Sequence, residues 1–335
     1  MGTPGAIRRR GALKRWSLIA VAVVALILPH ATEPIVVHTG IEILIMALFA
    51  MSFNLLFHGA GLLTFGHGCY FGVGAYTAAL LMTEVRMPMF PAMACAMVMG
   101  GLAALVFGYF CVRLTGVYFS ILTLAFAQLM FSVFQQTYTL TGGDLGILDI
   151  QPPAFLVEVN SYYYFTLLVV GAAIWLLWRI DHSPFGRTLH ASRDSVVRTQ
   201  FIGINVRRYR LAAFVIAGVF ASLSGALFAP FNRAVAPFLV SWVKSSDPVL
   251  MTLLGGASTF WGPVVGAAVF TTLHEVAIGY TTYWLLLMGG ILLLGVLFLP
   301  GGILGFLEER LPGFSAARST RITEAPGASS NARAD

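Results

Sequence analysis

The sequence predicts an all-α fold, that of a polytopic integral membrane protein. Of its 335 residues, 58% are hydrophobic and only 10% are charged, whereas soluble domains carry about 25% charged residues. The apolar residues fall in runs of about 20, and a helix of that length crosses a hydrocarbon core of about 30 Å. Together these two observations exclude a water-soluble globular domain, which needs a more polar surface.

Nine apolar stretches are predicted to be helical spans. The eighth is too long for one untilted span and is interrupted by Gly255, Gly256, Gly262 and Pro263. We therefore expect two short helices there, and about nine to ten transmembrane or broken helices in all. The predicted spans cover residues 17–37, 40–60, 62–82, 88–112, 116–137, 161–180, 211–231, 248–277 and 282–300.

Basic residues predict the orientation, because cytoplasmic loops are enriched in Lys and Arg. The N-terminal tail (1–16) and the loop 181–210 are rich in these residues, whereas the loop 139–160 has none. The first two are predicted to be cytoplasmic and the third to lie outside. Residues 29–33 form no small-residue cleavage site, so we expect the first helix to be retained rather than removed as a signal peptide. The membrane domain then covers 17–307, and 308–335 form a disordered tail.

No catalytic constellation is evident in the sequence. His274 and Glu275 lack the second histidine of a zinc-protease helix, and no Gly-x-Ser-x-Gly motif occurs. The two lysines, Lys14 and Lys244, lie outside any P-loop, so the chain is not predicted to hydrolyse ATP by that route. We predict a protein that is not an enzyme, with no metal site and no cofactor bound by this chain; any ATP is bound by partner subunits.

Two energy sources remain compatible with the sequence. A gradient-driven carrier usually places ionisable residues within its spans as relays. The candidates here are few: Glu42, Asp247 and the pair His274 and Glu275. This sparse interior favours a permease powered by a separate ATPase, and an ATPase-independent carrier or channel is the alternative.

One segment of the basic loop is predicted to form a short helix. Val196, Val197, Phe201 and Ile202 place apolar side chains at helical spacing, and Gly203 ends the segment. Two interpretations stay open. The segment is either an amphipathic helix on the membrane surface or a knob that docks into a groove of a cytoplasmic partner.

Two Gly-interrupted stretches, 63–75 and 254–267, resemble each other and indicate a possible internal repeat. Paired broken helices in two halves of a transporter are typical of a transport site at a repeat interface. Small residues are also typical of close packing between membrane helices. Both interpretations stay open.

Five groups of motifs follow one another in the order found in a known family. The chain resembles the inner-membrane permeases of branched-chain amino-acid ABC transporters, of the second-permease-subunit type, and urea and amide permeases are close relatives. In the coupling loop the family commonly has a Glu and then two Ala residues, where this chain has Val196, Arg198 and Thr199. The motifs lie at 66–76, 113–127 with 140–144, 186–194 with 203–205, 254–267 and 298–302.

The resemblance implies the function and the partners. The chain would be the permease subunit of an importer that translocates branched-chain amino acids or similar small polar solutes, such as urea and amides, by alternating access. It would lie in a bacterial-type inner membrane with a cytoplasmic N-terminus. Its partners would be a second permease subunit, two cytoplasmic ABC ATPase subunits, a periplasmic or extracellular solute-binding protein and membrane lipid, but no nucleic acid.

The resemblance also assigns three groups of residues. The ATPase-coupling loop would contribute Arg193, Asp194, Gly203, Ile204 and Asn205. The translocation path, or close helix packing in its place, would involve Gly66, Gly72, Gly74, Tyr76, Gly255 and Gly256. The loop that faces the binding protein would contribute Thr141, Gly142, Gly143 and Asp144.

Overall fold

The computed structural model describes residues 29, 33–280, 283, 286–290, 293 and 301–310. Within these residues the chain is almost entirely helical. Six helices are long and apolar enough to cross a membrane. The predicted all-α polytopic fold is confirmed.

The described elements are twelve labelled helices and one two-stranded sheet. In chain order the helices are α1 (Pro34–Asn54, continued by a π-helical turn at Leu55–Ala60), α2 (His67–Thr83), α3 (Met89–Cys111), α4 (Val117–Gln136), α5 (Tyr138–Thr141), α6 (Val159–Asp181), α7 (Pro184–Asp194), α8 (Val196–Phe201), α9 (Val206–Asn232), α10 (Trp242–Gly255), α11 (Gly262–Tyr280) and α12 (Gly302–Arg310). Strands β1 (Ile147–Leu148) and β2 (Ala234–Val235) pair antiparallel, and 3₁₀ turns lie at Gly143–Leu145, Ala154–Leu156 and Pro237–Val240.

The predicted break in the eighth span is present, since α10 and α11 are separate helices. The predicted span 62–82 begins too early. Gly61, with φ +68°, ends the π-helical turn in the left-handed region that favours glycine, and helix resumes only at His67. The predicted spans 17–37 and 282–300, and the two tails, lie largely outside the described residues.

Helix α9 packs closely against α2 and α3 through small residues. A Cβ at Gly74 of α2 would overlap the backbone of Ser222 in α9, and one at Gly225 of α9 would overlap the backbone of Phe71. The Ser222 hydroxyl donates a hydrogen bond to the Tyr70 carbonyl oxygen at 2.8 Å. Since lipid provides no hydrophobic drive between helices, such close backbone contacts stabilise the bundle by dispersion and hydrogen bonding.

Contacts between loops define two ends of the bundle. At one end, His58 Nδ1 near the end of α1 lies 3.2 Å from the carbonyl oxygen of Ala257, in the α10–α11 turn, and Arg193 of α7 contacts His58 as well. At the other end, β1 of the loop 139–160 pairs with β2. The loops 139–160 and 181–210 are thus at opposite ends of α6, as the predicted topology requires.

Replacing Gly74 with Ala tests the close packing. We expect Gly74→Ala to lower the free energy of unfolding by about 1–3 kcal/mol, the usual cost of overpacking a filled interior. The measurement is the thermal unfolding midpoint of the detergent-purified protein. Gly171→Ala in α6 is the matched control, because a Cβ there meets nothing within 4 Å. Equal midpoints for the two variants would contradict the packing argument.

Candidate functional site

A cavity of about 420 Å³ lies between α1, α10 and α11. Four of its lining residues carry ionisable side chains: Glu42 of α1, Lys244 and Asp247 of α10, and His274 of α11. The rest of its wall is mostly apolar, and includes Met46, Phe228, Leu239, Leu250, Met251 and Phe270. A cavity with apolar walls and a few polar groups that converge on it is typical of a small-molecule site.

An ion pair lies in the first two turns of α10. The Lys244 ammonium is 2.8 Å from Asp247 Oδ2, and the two side chains are only 12% and 21% exposed. Ser241 caps this helix by accepting a hydrogen bond from the Lys244 backbone N–H. Lys244 Nζ also lies 3.8 Å from Met46 Sδ and 5.6 Å from the centre of the Phe71 ring. Because ionisable groups at membrane depth are costly unless they are paired, this pairing makes the buried Lys244 tolerable.

Carboxyl groups from two further helices meet beside this pair. The Glu42 carboxyl group of α1 lies within hydrogen-bonding reach of that of the exposed Glu275 in α11. The neighbouring His274 ring stacks on Phe270 with ring centres 6.4 Å apart. From the sequence, the acidic residues and His274 were only scattered candidates, and Lys244 was considered only to exclude a P-loop. The available signal was five ionisable residues within or beside apolar stretches: Glu42, Lys244, Asp247, His274 and Glu275.

A second cleft, of about 390 Å³, opens at the end of the bundle that carries the loop 139–160. Asp144 lines it, and the Gln135 side-chain amide donates to Asp144 Oδ1 at 2.8 Å. Phe238 and Val243 line both this cleft and the charged cavity. These two side chains therefore stand between the two spaces.

The four residues predicted to face a binding protein have different positions in this loop. The Thr141 side chain is buried and donates to the Thr137 carbonyl oxygen at 2.8 Å. Gly142 ends α5, and Gly143 begins the following 3₁₀ turn. Thr141 and the two glycines thus shape the turn, and only Asp144 offers a side chain to the cleft.

The predicted path residues in the first half are packed against other helices. A Cβ at Gly66 would overlap the Thr123 backbone, and one at Gly72 would overlap the Val240 side chain. Tyr76 is buried, with its ring centre 4.7 Å from that of Phe134. Together with Gly74, these residues have the geometry of close packing.

The predicted path residues in the second half lie at the α10–α11 break. Gly255 packs against the backbone of Gly262, and Gly256 packs against Gly302 at the start of α12. None of the six predicted path residues is among those that line the charged cavity in the described part of the chain. A path lined by them stays a prediction.

Side-chain caps build the predicted coupling loop. Ser183 caps α7, Ser195 caps α8 by accepting from the Arg198 N–H, and Asn205 caps α9 by accepting from the Arg208 N–H. Such caps satisfy backbone donors that the first helical turn leaves unpaired. Gly203, with φ +82°, supplies the left-handed residue after α8. Of the predicted coupling residues, Gly203 and Asn205 therefore shape the loop, and Ile204 lies between them, half-buried.

Arg193 anchors α7 to the end of α1. Its Nη1 donates to the His58 carbonyl oxygen at 2.7 Å, and its aliphatic part packs against Gly61. His58 in turn approaches Ala257 in the α10–α11 turn. Asp194, the last residue of α7, is exposed. The predicted coupling loop therefore contacts the end of α1 directly and the α10–α11 turn through His58. Both elements continue into helices that line the charged cavity.

The short helix α8 presents apolar side chains away from the bundle. Val197, Phe201 and Ile202 are 61%, 87% and 72% exposed. Val196, expected as a fourth anchor, is half-buried instead. Of the positions that depart from the family pattern, Thr199 is buried and Arg198 is on the exposed face.

Comparison with known proteins identifies the family of this chain. Residues 36–297 match the family model described as branched-chain amino acid transport system / permease component. The chain belongs to this permease family. It is therefore the permease subunit of an ABC importer and a multi-pass protein of the inner membrane, and its family is one of transporters rather than enzymes. A permease of this kind works with an ATPase and a substrate-binding protein.

This permease is similar in sequence to curated proteins, among them the following three. The high-affinity branched-chain amino acid transport system permease protein LivM of Escherichia coli (strain K12) is 25% identical over 321 residues, which cover 88% of this chain and 76% of LivM. LivM of Salmonella typhimurium (strain LT2) has the same identity and shares. The autoinducer 2 import system permease protein LsrC of Salmonella paratyphi B is 26% identical over 173 residues, 50% of this chain and 49% of LsrC. No solved structure matches the permease.

The contact between His190 and Asp181 predicts a pH-dependent stability. His190 Nε2 lies 2.9 Å from Asp181 Oδ1, and this hydrogen bond raises the pKa of His190 above its ordinary value. Protonated His190 therefore stabilises the folded protein below about pH 6.5, and this contribution is lost as the pH rises through the raised pKa. We expect His190→Gln to lower the unfolding free energy by at most about 1 kcal/mol at pH 5.5, and by less at pH 9.

The measurement is the unfolding midpoint of both proteins across this pH range. His182→Gln is the matched control, since His182 is 3.7 Å from Asp181 and more exposed. A destabilisation by His190→Gln that stays the same from pH 5.5 to pH 9 would contradict the role of the protonated ring.

Proposed function

We propose that this permease moves amino acids or small polar solutes of similar size inward across the membrane by alternating access, driven by separate ATPase subunits. The observation that carries the proposal is the exposed apolar surface of α8, formed by Val197, Phe201 and Ile202. Monomeric proteins seldom leave such side chains grouped in the open unless a partner or a membrane covers them. The relatives named for import of branched-chain amino acids and of autoinducer 2 support a small solute.

The proposed partner of α8 is a groove on an ATPase subunit. An amphipathic helix that enters such a groove uses a few apolar anchors, and α8 offers three. Arg193 fixes the adjoining α7 to His58, so movement of the ATPases would reach α1 and the α10–α11 turn. Helices α1, α10 and α11 line the charged cavity. Movement at the coupling loop would thereby open or close that cavity.

The finer assembly follows the family pattern. Two permease subunits would pair in the membrane, each with one ATPase at its coupling loop, and ATP would bind to the ATPases alone, because this chain carries no P-loop. The basic N-terminal tail would be cytoplasmic by the positive-inside rule. A soluble binding protein would release solute at the opposite end, into the cleft lined by Asp144.

One observation favours a second candidate, a gradient-driven carrier. Glu42, Lys244, Asp247 and His274 line one cavity, and ionisable groups at membrane depth are typical of proton relays. Uptake by the purified chain, driven by a proton gradient without ATP, would favour this candidate. Dependence of uptake on ATP and on ATPase subunits would exclude it.

The proposed docking of α8 predicts the effect of Phe201→Ser. Burial of one large apolar side chain contributes about 1.5–3 kcal/mol, so its loss should lower the affinity for the ATPase by about tenfold or more. The measurement is a pull-down of the tagged permease from detergent-solubilised native membranes, with partners identified by mass spectrometry. Val85→Ser is the control, because Val85 is an exposed apolar residue too, at 60%, but follows α2 at the other end of the bundle. Recovery of wild-type chain alone from mild detergent would contradict the proposal.

The Arg193 contact predicts a variant that binds ATPase but transports poorly. In Arg193→Ala the hydrogen bond to His58 is lost, while the apolar side chains of α8 remain exposed. We expect ATPase recovery to be retained, with ATP-driven uptake lowered several-fold. Arg193→Lys, which can still donate to the His58 carbonyl oxygen, should restore part of the uptake. Equal losses of binding and uptake in Arg193→Ala would show that Arg193 acts only on docking.

A further inference from the structure

The charges around the cavity do not balance within the described residues. Glu42 and Asp247 line it, and the carboxyl group of Glu275 lies within hydrogen-bonding reach of that of Glu42. The ammonium of Lys244 pairs with Asp247 at 2.8 Å. Two carboxyl groups hydrogen-bond to each other only when they share a proton, so the pair of glutamates still carries one negative charge. A carboxylate at membrane depth is costly unless a cation pairs with it, and a positive group of a solute near Glu42 would provide that pairing.

An unpaired hydroxyl in the cavity wall points to a ligand. Thr271 lines the cavity, is 2% exposed and belongs to α11, the helix that also carries His274 and Glu275. Its Oγ1 has no hydrogen-bond partner among the described residues. Buried hydroxyls are nearly always paired, and leaving one unpaired costs about 1–3 kcal/mol. A solute group that reaches Thr271 Oγ1 would remove this cost.

We propose that this cavity is a solute-binding site within the permease, and that it selects solutes that carry a primary ammonium group. The Glu42 carboxylate and the Thr271 hydroxyl accept hydrogen bonds from the ammonium. Lys244 binds the carboxylate of a zwitterionic amino acid, and the apolar wall around Phe228 and Phe270 takes its side chain. The site rests on the proposed function, because it assigns selectivity to the permease in addition to any binding protein.

The size and position of the cavity fit this role. Its volume of about 420 Å³ lies within the range of about 300–1,000 Å³ typical of small-molecule sites. Phe238 and Val243 separate it from the outer cleft that Asp144 lines. A solute that passes these two side chains would go from the outer cleft to the charged cavity.

Neutral solutes of the same shape bind less well for a physical reason. Hydrogen bonds in which the donor or the acceptor is ionised are roughly twice as strong as neutral ones, and an ammonium beside a carboxylate adds the attraction between opposite charges. A urea or amide group offers no charge to Glu42, and its carbonyl oxygen would compete for the same donors as a carboxylate. The site therefore favours amino acids over urea and amides.

Three ligands of one carbon skeleton test the site. Leucine carries ammonium and carboxylate, leucinamide carries only the ammonium, and 4-methylpentanamide carries neither. Affinity is measured by the ligand-dependent rise of the unfolding midpoint of the intact complex in nanodiscs, without binding protein. We expect leucine to bind more tightly than leucinamide, and 4-methylpentanamide to bind at least tenfold more weakly than leucinamide.

Isosteric variants test which side chains contact the ligand. Glu42→Gln should lower the binding affinity for leucine and leucinamide by at least tenfold and leave the affinity for 4-methylpentanamide unchanged. Thr271→Val should lower the affinity for both ammonium ligands several-fold. Glu84→Gln, in the exposed turn after α2, is the matched control and should change nothing. If Glu42→Gln is poorly folded by size-exclusion chromatography, Thr271→Val, which keeps shape and charge, decides the question.

Two results would overturn the site: leucine affinity unchanged in Thr271→Val and in folded Glu42→Gln, or 4-methylpentanamide bound as tightly as leucine by the wild type. ATP-driven uptake in proteoliposomes, with binding protein and ATPases present, separates this proposal from the transport function. Uptake of a neutral solute with no preference for ammonium would overturn the site alone. Absence of ATP-dependent uptake of any solute offered would overturn the proposed function.

Discussion

Close contact between the backbones of α9 and α2 is the constraint on which the rest of the structure depends. Gly74 and Gly225 let these helices approach until main-chain atoms touch, and Ser222 adds a hydrogen bond across the contact. Because apolar side chains lose nothing by facing lipid, only shape and hydrogen bonding specify which helix packs on which. With this centre fixed, α1, α10 and α11 can enclose a cavity beside it rather than fill the space.

Two kinds of contact hold the helices around this centre. Dense packing at the glycines gives one arrangement of α2, α3 and α9. The elements that meet the coupling loop are held by a few polar contacts instead, chiefly those of His58 with Arg193 and Ala257. A few hydrogen bonds at a membrane surface exchange partners far more easily than interlocked backbones do. The structure therefore combines a densely packed part with a part that is held by few contacts.

The sequence was sufficient for the fold class and for most helices, because long apolar runs have few alternatives in a bilayer. It also located the break between α10 and α11, since Gly-Pro interruptions are a local signal. The coupling role of the Arg-rich loop 181–210 stays a prediction. The sequence was insufficient for the cavity. Glu42, Lys244 and His274 lie on three helices far apart in sequence, and only tertiary packing brings them together. The roles of Gly66 and Gly72 also depended on partners, Thr123 and Val240, that no local pattern reveals.

The π-helical turn at Leu55–Ala60 gives α1 a property that a regular helix lacks. A π turn closes its hydrogen bonds one residue later than an α turn, so it contains one residue more than an α turn in the same place would. If that turn reverted to α-helical bonding, the preceding part of α1 would rotate by about 100° and advance by about 1.5 Å. Glu42 would then leave the cavity by a screw motion along the axis of its own helix, without any hinge. The turn lies beside His58, where the coupling loop makes its contact.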